Sequence, residues 1–328
     1  MLLLSRKDIQ KVFSMSEAIA ADKTAFKLFS QGKTNVPLRT QIVSEKENGT
    51  FLFMPAYAVD LDAASLKIIN IFPNNINQGL PSAPAQVFLV DGKTGVVNAV
   101  LDGNTVTQLR TGAASGVAFD VLGSKEAKEG ALIGTGGQAA SQLEAMICGR
   151  DLEVVRVYDT NFERTKAFAK HMTQELAKYG TRIVASTSSD EAITNADLII
   201  TVTPSEKPVF DGTKVKKGAT VSCVGSYQPH MQEMDPVILE RASKLYFDSE
   251  EAVLSEAGDI LIPLEKGIIT KDMFTGDIGE VLLGELVGRE NEDEIIVFKT
   301  VGIGAQDLVT AKLIYDKACQ QKVGTEWS

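Results

Sequence analysis

The stretch ALIGTGGQAASQLEAMICGR, residues 131–150, decides the fold. Three apolar residues lead into Gly134-Thr135-Gly136-Gly137, and a run of strong helix formers follows. A short apolar run, glycines and then helical spacing read as strand, turn and helix. Two readings are open for the turn: a cradle for phosphate, or a plain glycine turn. Its neighbours favour the cradle. Gly134-x-Gly136-x-x-Ala139 has the pattern in which the first glycine permits a tight turn and the second lets backbone N–H groups approach a pyrophosphate. A small third residue lets the helix pack close to the strand, and the helix N-terminus favours negative charge. Asp159 closes the next strand-like segment, EVVRVYD (153–159), where a carboxylate accepts from adenosine ribose hydroxyls. It also repels a 2′-phosphate, so NAD(H) is favoured. The nearby Arg164 and Lys166 keep that preference moderate and leave NADP(H) as the alternative.

Outward from this stretch, short apolar runs alternate with helical patterns: RIVAST (182–187), DLIITVT (197–203), ATVSCVG (219–225) and KLYFD (244–248). Between the first two strands Phe168, Met172 and Leu176 recur every fourth residue, with Thr160-x-x-Glu163 as a capping box and Gly180 as the stop. Repeated strand–helix–strand units imply a doubly wound parallel sheet of α/β class, covered on both faces. Residues 1–115 differ. Behind a helix around Ser16–Gln31 come TFLFMPAY, SLKIINIF, AQVFLVDG and VVNAVLDG, separated by turn signals, which predict a mixed, partly antiparallel α+β unit. LVTAKLIYDKACQQ near the end reads as a long helix.

Composition narrows the partners. A net charge of -10 argues against nucleic acid or an anionic membrane surface. No apolar run approaches the roughly 20 residues that span a bilayer, and MLLLSRKDIQ reaches charge too early for a signal peptide. Cys148, Cys223 and Cys319 are odd in number and widely spaced, which predicts reduced, buried thiols in a cytoplasmic protein. With only His171 and His230 present, a histidine-rich metal centre is not expected. The acidic groups Glu250-Glu251 and Glu292-Asp293-Glu294 read as solvated faces.

Five segments carry a resemblance: LDGNTVTQLRTGAASGVA (101–118), IGTGGQA (133–139), TVTPSEKPVF (201–210), VGSYQPHMQEMD (224–235) and TVGIGAQDL (300–308). In this order they resemble the ornithine cyclodeaminase/mu-crystallin family across nearly the whole chain. The resemblance implies a substrate-binding and dimerisation domain over residues 1–116, rejoined by residues 305–328, and a Rossmann domain over residues 117–304, in a homodimer. For the cofactor it implies a site made by Gly134, Gly136, Gly137, Gln138, Ala139, Asp159, Arg164, Thr203 and Val224. For the substrate it implies Arg39 and Arg110 as carboxylate-binding arginines, Lys67 as the active-site lysine, and Met54 in the pocket.

The chemistry asks for such groups independently. A guanidinium grips a planar carboxylate bidentately, and a lysine beside a carbon–nitrogen bond passes a proton. Against a solvated role, Lys67 interrupts an apolar strand and Arg110 heads the small-residue run TGAASG. Two departures from the family's deaminating members then matter. The aspartate after their VG-x turn is Tyr227 here, and the glutamate two residues before the pocket methionine is Leu52. Both losses favour reduction of a cyclic imino acid such as Δ1-pyrroline-2-carboxylate, with Lys67 and Tyr227 as catalytic candidates. Ornithine cyclodeamination, alanine dehydrogenation and a non-catalytic binding protein remain the alternatives. His230 is a candidate proton relay on the Tyr227 turn. Asp307 either anchors the last helix or contacts substrate or nicotinamide.

Overall fold

Reciprocal caps start the first two helices of the computed structural model, which describes residues 1–328. After β1 (Leu2–Leu4), Ser5 N–H donates to the Asp8 carboxylate at 2.9 Å and opens α1 (Arg6–Val12). Ser14 N–H donates to Glu17 at 2.8 Å and opens α2 (Met15–Ser30), whose buried face runs through Met15, Ala18, Ile19, Asp22, Ala25 and Phe26 at helical spacing. Two helices thus stand where one is expected from sequence. Then come β2 (Thr34–Asn35), β3 (Thr40–Ser44), β4 (Gly49–Ala58), β5 (Ala63–Ile71), β6 (Ala85–Asp91) and β7 (Val97–Asp102). β4 to β7 form an antiparallel meander, β2 and β3 both pair with β4, and β1 joins β7 in parallel. Alternation gives this sheet one buried face: Leu52, Met54 and Ala56 from β4, Ala63, Ser65 and Lys67 from β5, Ala85, Val87 and Leu89 from β6. Lys67 lies in the middle of the meander, directly opposite both Met54 and Val87.

The chain divides into two units, Met1–Arg110 with Ile303–Ser328, and Thr111–Gly302. The first boundary falls inside α3 (Gly103–Leu122), six residues ahead of the expected one, because a continuous helix carries no break that sequence could mark.

The second unit is built of β8 (Glu129–Ile133), α4 (Ala139–Gly149), β9 (Val154–Tyr158), α5 (Phe162–Glu175), β10 (Arg182–Ala185), α6 (Ser189–Ile193), β11 (Leu198–Thr201) and β12 (Thr220–Cys223). It continues with α7 (Pro236–Arg241), β13 (Lys244–Phe247), α8 (Glu250–Glu256), α9 (Gly258–Glu265), β14 (Gly276–Asp277), α10 (Ile278–Leu283) and β15 (Ile296–Lys299). All eight strands are parallel, in the order β10-β9-β8-β11-β12-β15-β13-β14. The order reverses between β8 and β11, which is where doubly wound folds open a ligand crevice at their carboxyl edge. Phe119, Leu143, Met146 and Met172 from the helices pack with Leu132, Val155, Val157, Leu198 and Ile200 from the strands. β11 and β12 are buried at every position, as strands covered on both faces must be.

Three expectations need correction here. α5 is capped by Asn161, whose side chain accepts from Arg164 N–H at 3.0 Å, so the capping residue is one position after Thr160. An asparagine fills the role as well as a threonine, and the register of the first turn decides between them. β15 and β14 add two strands to the expected set. Of the cysteines, only Cys223 is buried; Cys148 is half-buried and Cys319 is exposed on the outer side of the last helix.

The chain then returns to the first unit as α11 (Gly304–Gln321), packed on α2, β4, β5 and β6, and ends in β16 (Thr325–Glu326), antiparallel to β1.

Candidate functional site

A lysine on the buried face of a central strand needs a counter-charge, since an unpaired buried ammonium is very costly. Here the first turn of α11 supplies it. Lys67 Nζ donates to Asp307 Oδ2 at 2.6 Å, and Arg110 Nε donates to Asp307 Oδ1 at 3.2 Å. Lys67 and Asp307 are both 0% exposed, and Arg110 is 6% exposed. Gln306 fixes the helix entrance: its Oε1 accepts from Ile303 N–H at 3.0 Å, while its Nε2 donates to Asp22 at 2.7 Å and to the Arg110 carbonyl at 3.2 Å. Burial, and after it the Arg110 charge, bring the Lys67 ammonium down to about 7, against the pull of Asp307 in the other direction; Arg39 adds a further lowering. At about 7 the Lys67 ammonium is held far more loosely than a solvated lysine's. Met54 packs opposite it and is buried, and Arg39 is half-exposed just before β3. The structure thus gathers Lys67 and Arg110 on one aspartate, with Met54 beside Lys67 on the neighbouring strand.

In the second unit the glycine loop follows β8 at the carboxyl edge. Gly134 has φ +107°, and a Cβ there would lie 2.8 Å from the Val202 carbonyl oxygen, so only glycine fits. A Cβ at Gly136 or Gly137 would meet no atom within 4 Å, leaving the outer side of the loop bare. α4 begins at Ala139 behind Gln138 with no side-chain cap; Ala139 N–H donates to the Gly136 carbonyl at 3.0 Å, and the positive end of the helix dipole at this turn favours an anion. These features fit a dinucleotide pyrophosphate. Asp159, at the end of β9, is 8% exposed and already well partnered. Its Oδ2 accepts from Thr135 N–H at 3.0 Å and Thr135 Oγ1 at 2.8 Å; its Oδ1 accepts from Arg164 Nη2 at 2.5 Å and Asn161 N–H at 3.2 Å. Burial raises this carboxyl, but Arg164, Asn161 and Thr135 together outweigh it and hold it at about 2. The Arg164 side chain remains 56% exposed.

Thr203 and Val224 lie just beyond β11 and β12. Val224 N–H donates to the Thr201 carbonyl at 2.9 Å. Tyr227 is half-buried in the loop that follows, next to a fully buried Ser226. His230 is exposed, with Glu206 3.9 Å away, and His171 is exposed on α5. Sequence reasoning left Asp307 undecided and missed Glu233. The second is fully buried and bonds to the backbone of the two loops that carry Thr203 and Val224.

The fold and these clusters define an α/β protein with a dinucleotide-type sheet in its second unit and a discontinuous first unit that buries a lysine–aspartate–arginine cluster. A model of the ornithine cyclodeaminase/mu-crystallin family matches residues 1–322, and the chain belongs to that family. A Bacillus cereus relative, Delta(1)-pyrroline-2-carboxylate reductase, is 37% identical over 99% of this chain and 98% of its own. The solved Thermococcus litoralis Delta(1)-pyrroline-2-carboxylate reductase, in complex with NADH and L-proline, is 41% identical with a TM-score of 0.95, covering 100% of both chains. An archaeal alanine dehydrogenase, solved as a dimer with bound NAD, is 34% identical with a TM-score of 0.91, covering 100% of this chain and 99% of that one. No helix is long and apolar enough to cross a membrane.

Proposed function

We propose that this chain is an NAD(H)-dependent reductase of cyclic imino acids of the Δ1-pyrroline-2-carboxylate type. The observation that carries the reading is the buried Lys67–Asp307–Arg110 cluster, joined to membership of a family whose similar members bear that activity in their names. The bound nicotinamide supplies the hydride. This chain's own residues do the rest. Arg110, with Arg39 nearby, is positioned to grip the substrate carboxylate, leaving Asp307 to hold the Arg110 Nε edge. Lys67 delivers the proton that the imine nitrogen takes as C=N becomes C–N. Its value near 7 means that this proton is held loosely at neutral pH. A substrate carboxylate brought beside two arginines and a lysine raises the lysine's affinity for the proton, so binding charges the acid it needs.

The cofactor is held by the loop Gly134–Ala139, by Asp159 toward the adenosine ribose, and by Thr203 and Val224 toward the nicotinamide half. Arg164 partners Asp159 and tempers the discrimination against NADP(H). Met54 walls the substrate pocket, and Tyr227 offers a hydroxyl on the loop after β12. The protein works as a homodimer in the cytoplasm.

Deamination of ornithine is disfavoured because the carboxylate that remains near Lys67 is occupied. Asp307 accepts from both Lys67 and Arg110, and Leu52 stands buried where a second carboxylate would be needed. The test follows NADH absorbance with Δ1-pyrroline-2-carboxylate, beside an ammonia assay with ornithine and NAD. Turnover of the imine without ammonia release supports the reading. Proline formation from ornithine at a comparable rate overturns it.

A further inference from the structure

β11 and β12 end side by side, and each runs into a loop whose backbone N–H groups must find partners. Thr203 N–H and Gly225 N–H both find the same one: Oε1 of Glu233 accepts from the first and Oε2 from the second. The two loops approach so closely that a side chain at Gly225 would collide with the Thr203 backbone. Glu233 is itself held. Its backbone N–H, with that of Met234, donates to Asp259 Oδ1 at 2.7 and 2.8 Å, and its carbonyl accepts from Val209 N–H at 2.9 Å. Beneath it Lys299 Nζ lies 3.1 Å from Asp259 Oδ2 and donates to the Cys223 carbonyl at 3.1 Å, so a strand-borne ammonium ties the acids to the end of β12. Glu233, Asp259 and Lys299 are all 0% exposed.

We infer that Glu233 is a positioning residue for the nicotinamide half of the cofactor: its carboxylate clamps the Thr203 and Gly225 loops into the spacing that half requires. This rests on the proposed dinucleotide-dependent reduction and adds a residue that touches neither substrate nor cofactor. A carboxylate is the side chain that fits, because both of its oxygens accept and both partners donate. The cost is a buried acid beside another acid. Burial and the Asp259 charge raise the Glu233 carboxyl above the usual range, with Lys299 opposing; the Cys223 thiol, also raised by burial, faces the same group. The clamp is therefore tightest above neutral pH and slackens as acid protonates one oxygen.

Glu233→Gln keeps the size but sets an NH2 group against one of the two backbone donors. The loss of one charge-assisted bond predicts NADH binding about tenfold weaker, read by fluorescence titration. ADP-ribose lacks the nicotinamide, so its affinity should stay within about twofold, since the glycine loop and Asp159 are untouched. A residue that merely supported the fold would weaken both ligands together, and that result overturns the inference. Equal NADH affinity in parent and variant overturns it too, even where the parent reduces imino acids. If the parent binds no NADH, the proposed function falls and the clamp with it. Hydrogen exchange on the parent keeps the test open should the variant fail to fold. Thr203 and Gly225 amides should be protected before NADH is added; amides that become protected only on binding refute a preformed clamp.

Discussion

Replacing Asp307 with Asn removes one charge and almost no volume, so its effect on Lys67 can be worked through. A hydrogen bond to a charged group is worth roughly 1.5–3 kcal/mol, and each pKa unit corresponds to about 1.4 kcal/mol. The Lys67 ammonium, at about 7 in the parent, should then fall by about one to two units. The like charge of Arg110 remains and pushes the same way. At pH 7 the parent holds Lys67 about half charged, and the variant should hold about a tenth or less. If charged Lys67 is the acid, kcat/KM at pH 7 drops about 5- to 50-fold, and the descending basic limb of its pH profile moves down by the same one to two units. The assay is NADH oxidation with Δ1-pyrroline-2-carboxylate from pH 5 to 9, with NADH affinity measured alongside to show that the second unit is intact. A variant whose basic limb coincides with the parent's would refute the assignment of Lys67 as proton donor and of Asp307 as the group that sets it.

The opposite sign is expected for Arg110→Gln: losing a neighbouring cation lets Lys67 hold its proton to higher pH, so the basic limb moves up while KM for the imine rises about tenfold. A pH–rate profile and KM on the one variant check both. Lys67→Met should lower kcat by about 100-fold or more with NADH affinity unchanged. Because the folded value of Lys67 is depressed to about 7, the unfolded chain carries the extra proton between there and about 10.4, and the parent gains stability as pH rises through that window. Denaturant unfolding of parent and Lys67→Met at pH 7 and 9 should therefore diverge by up to about 2–3 kcal/mol, the parent gaining. Asp159→Ser should weaken NADH and improve the relative affinity for NADPH, since Arg164 loses the carboxylate that holds it; a parent that already binds NADPH more tightly refutes the assignment of Asp159.

What could be read from the sequence follows how locally each feature is encoded. The central strands of the second unit are near-continuous apolar runs because both faces of a parallel sheet are covered, as in β11 and β12; the edge strand β10, half exposed, shows itself only as a short apolar run. β15 escapes because it rises straight out of the acidic run at Glu292–Glu294 and ends on a buried lysine, Lys299; β14, at two residues, carries no period at all. Lys67 was visible as a charge inside an apolar strand, yet its counter-ion lies 240 residues away, and no spacing rule spans that distance. Glu233 looks in sequence like any acid in a polar loop. Only the meeting of two strand ends gives it two donors to join.

The order in which the chain leaves the ribosome bears on that distant counter-ion. Residues Thr111–Gly302 are contiguous, so this half has all of its own residues as soon as they emerge. The other half stays incomplete until the segment from Gly304 onward has emerged, because α11 brings Asp307 to Lys67 and Arg110 and Gln306 to Asp22, and β16 then pairs with the edge at β1. A nascent meander lacking that helix would have to enclose two cations with nothing to neutralise them, which keeps its apolar face from closing early. A chain cut just after Gly302 therefore keeps every residue of the second unit but lacks the helix that covers the first, and such a fragment exposes the face of β4, β5 and β6 to quality control.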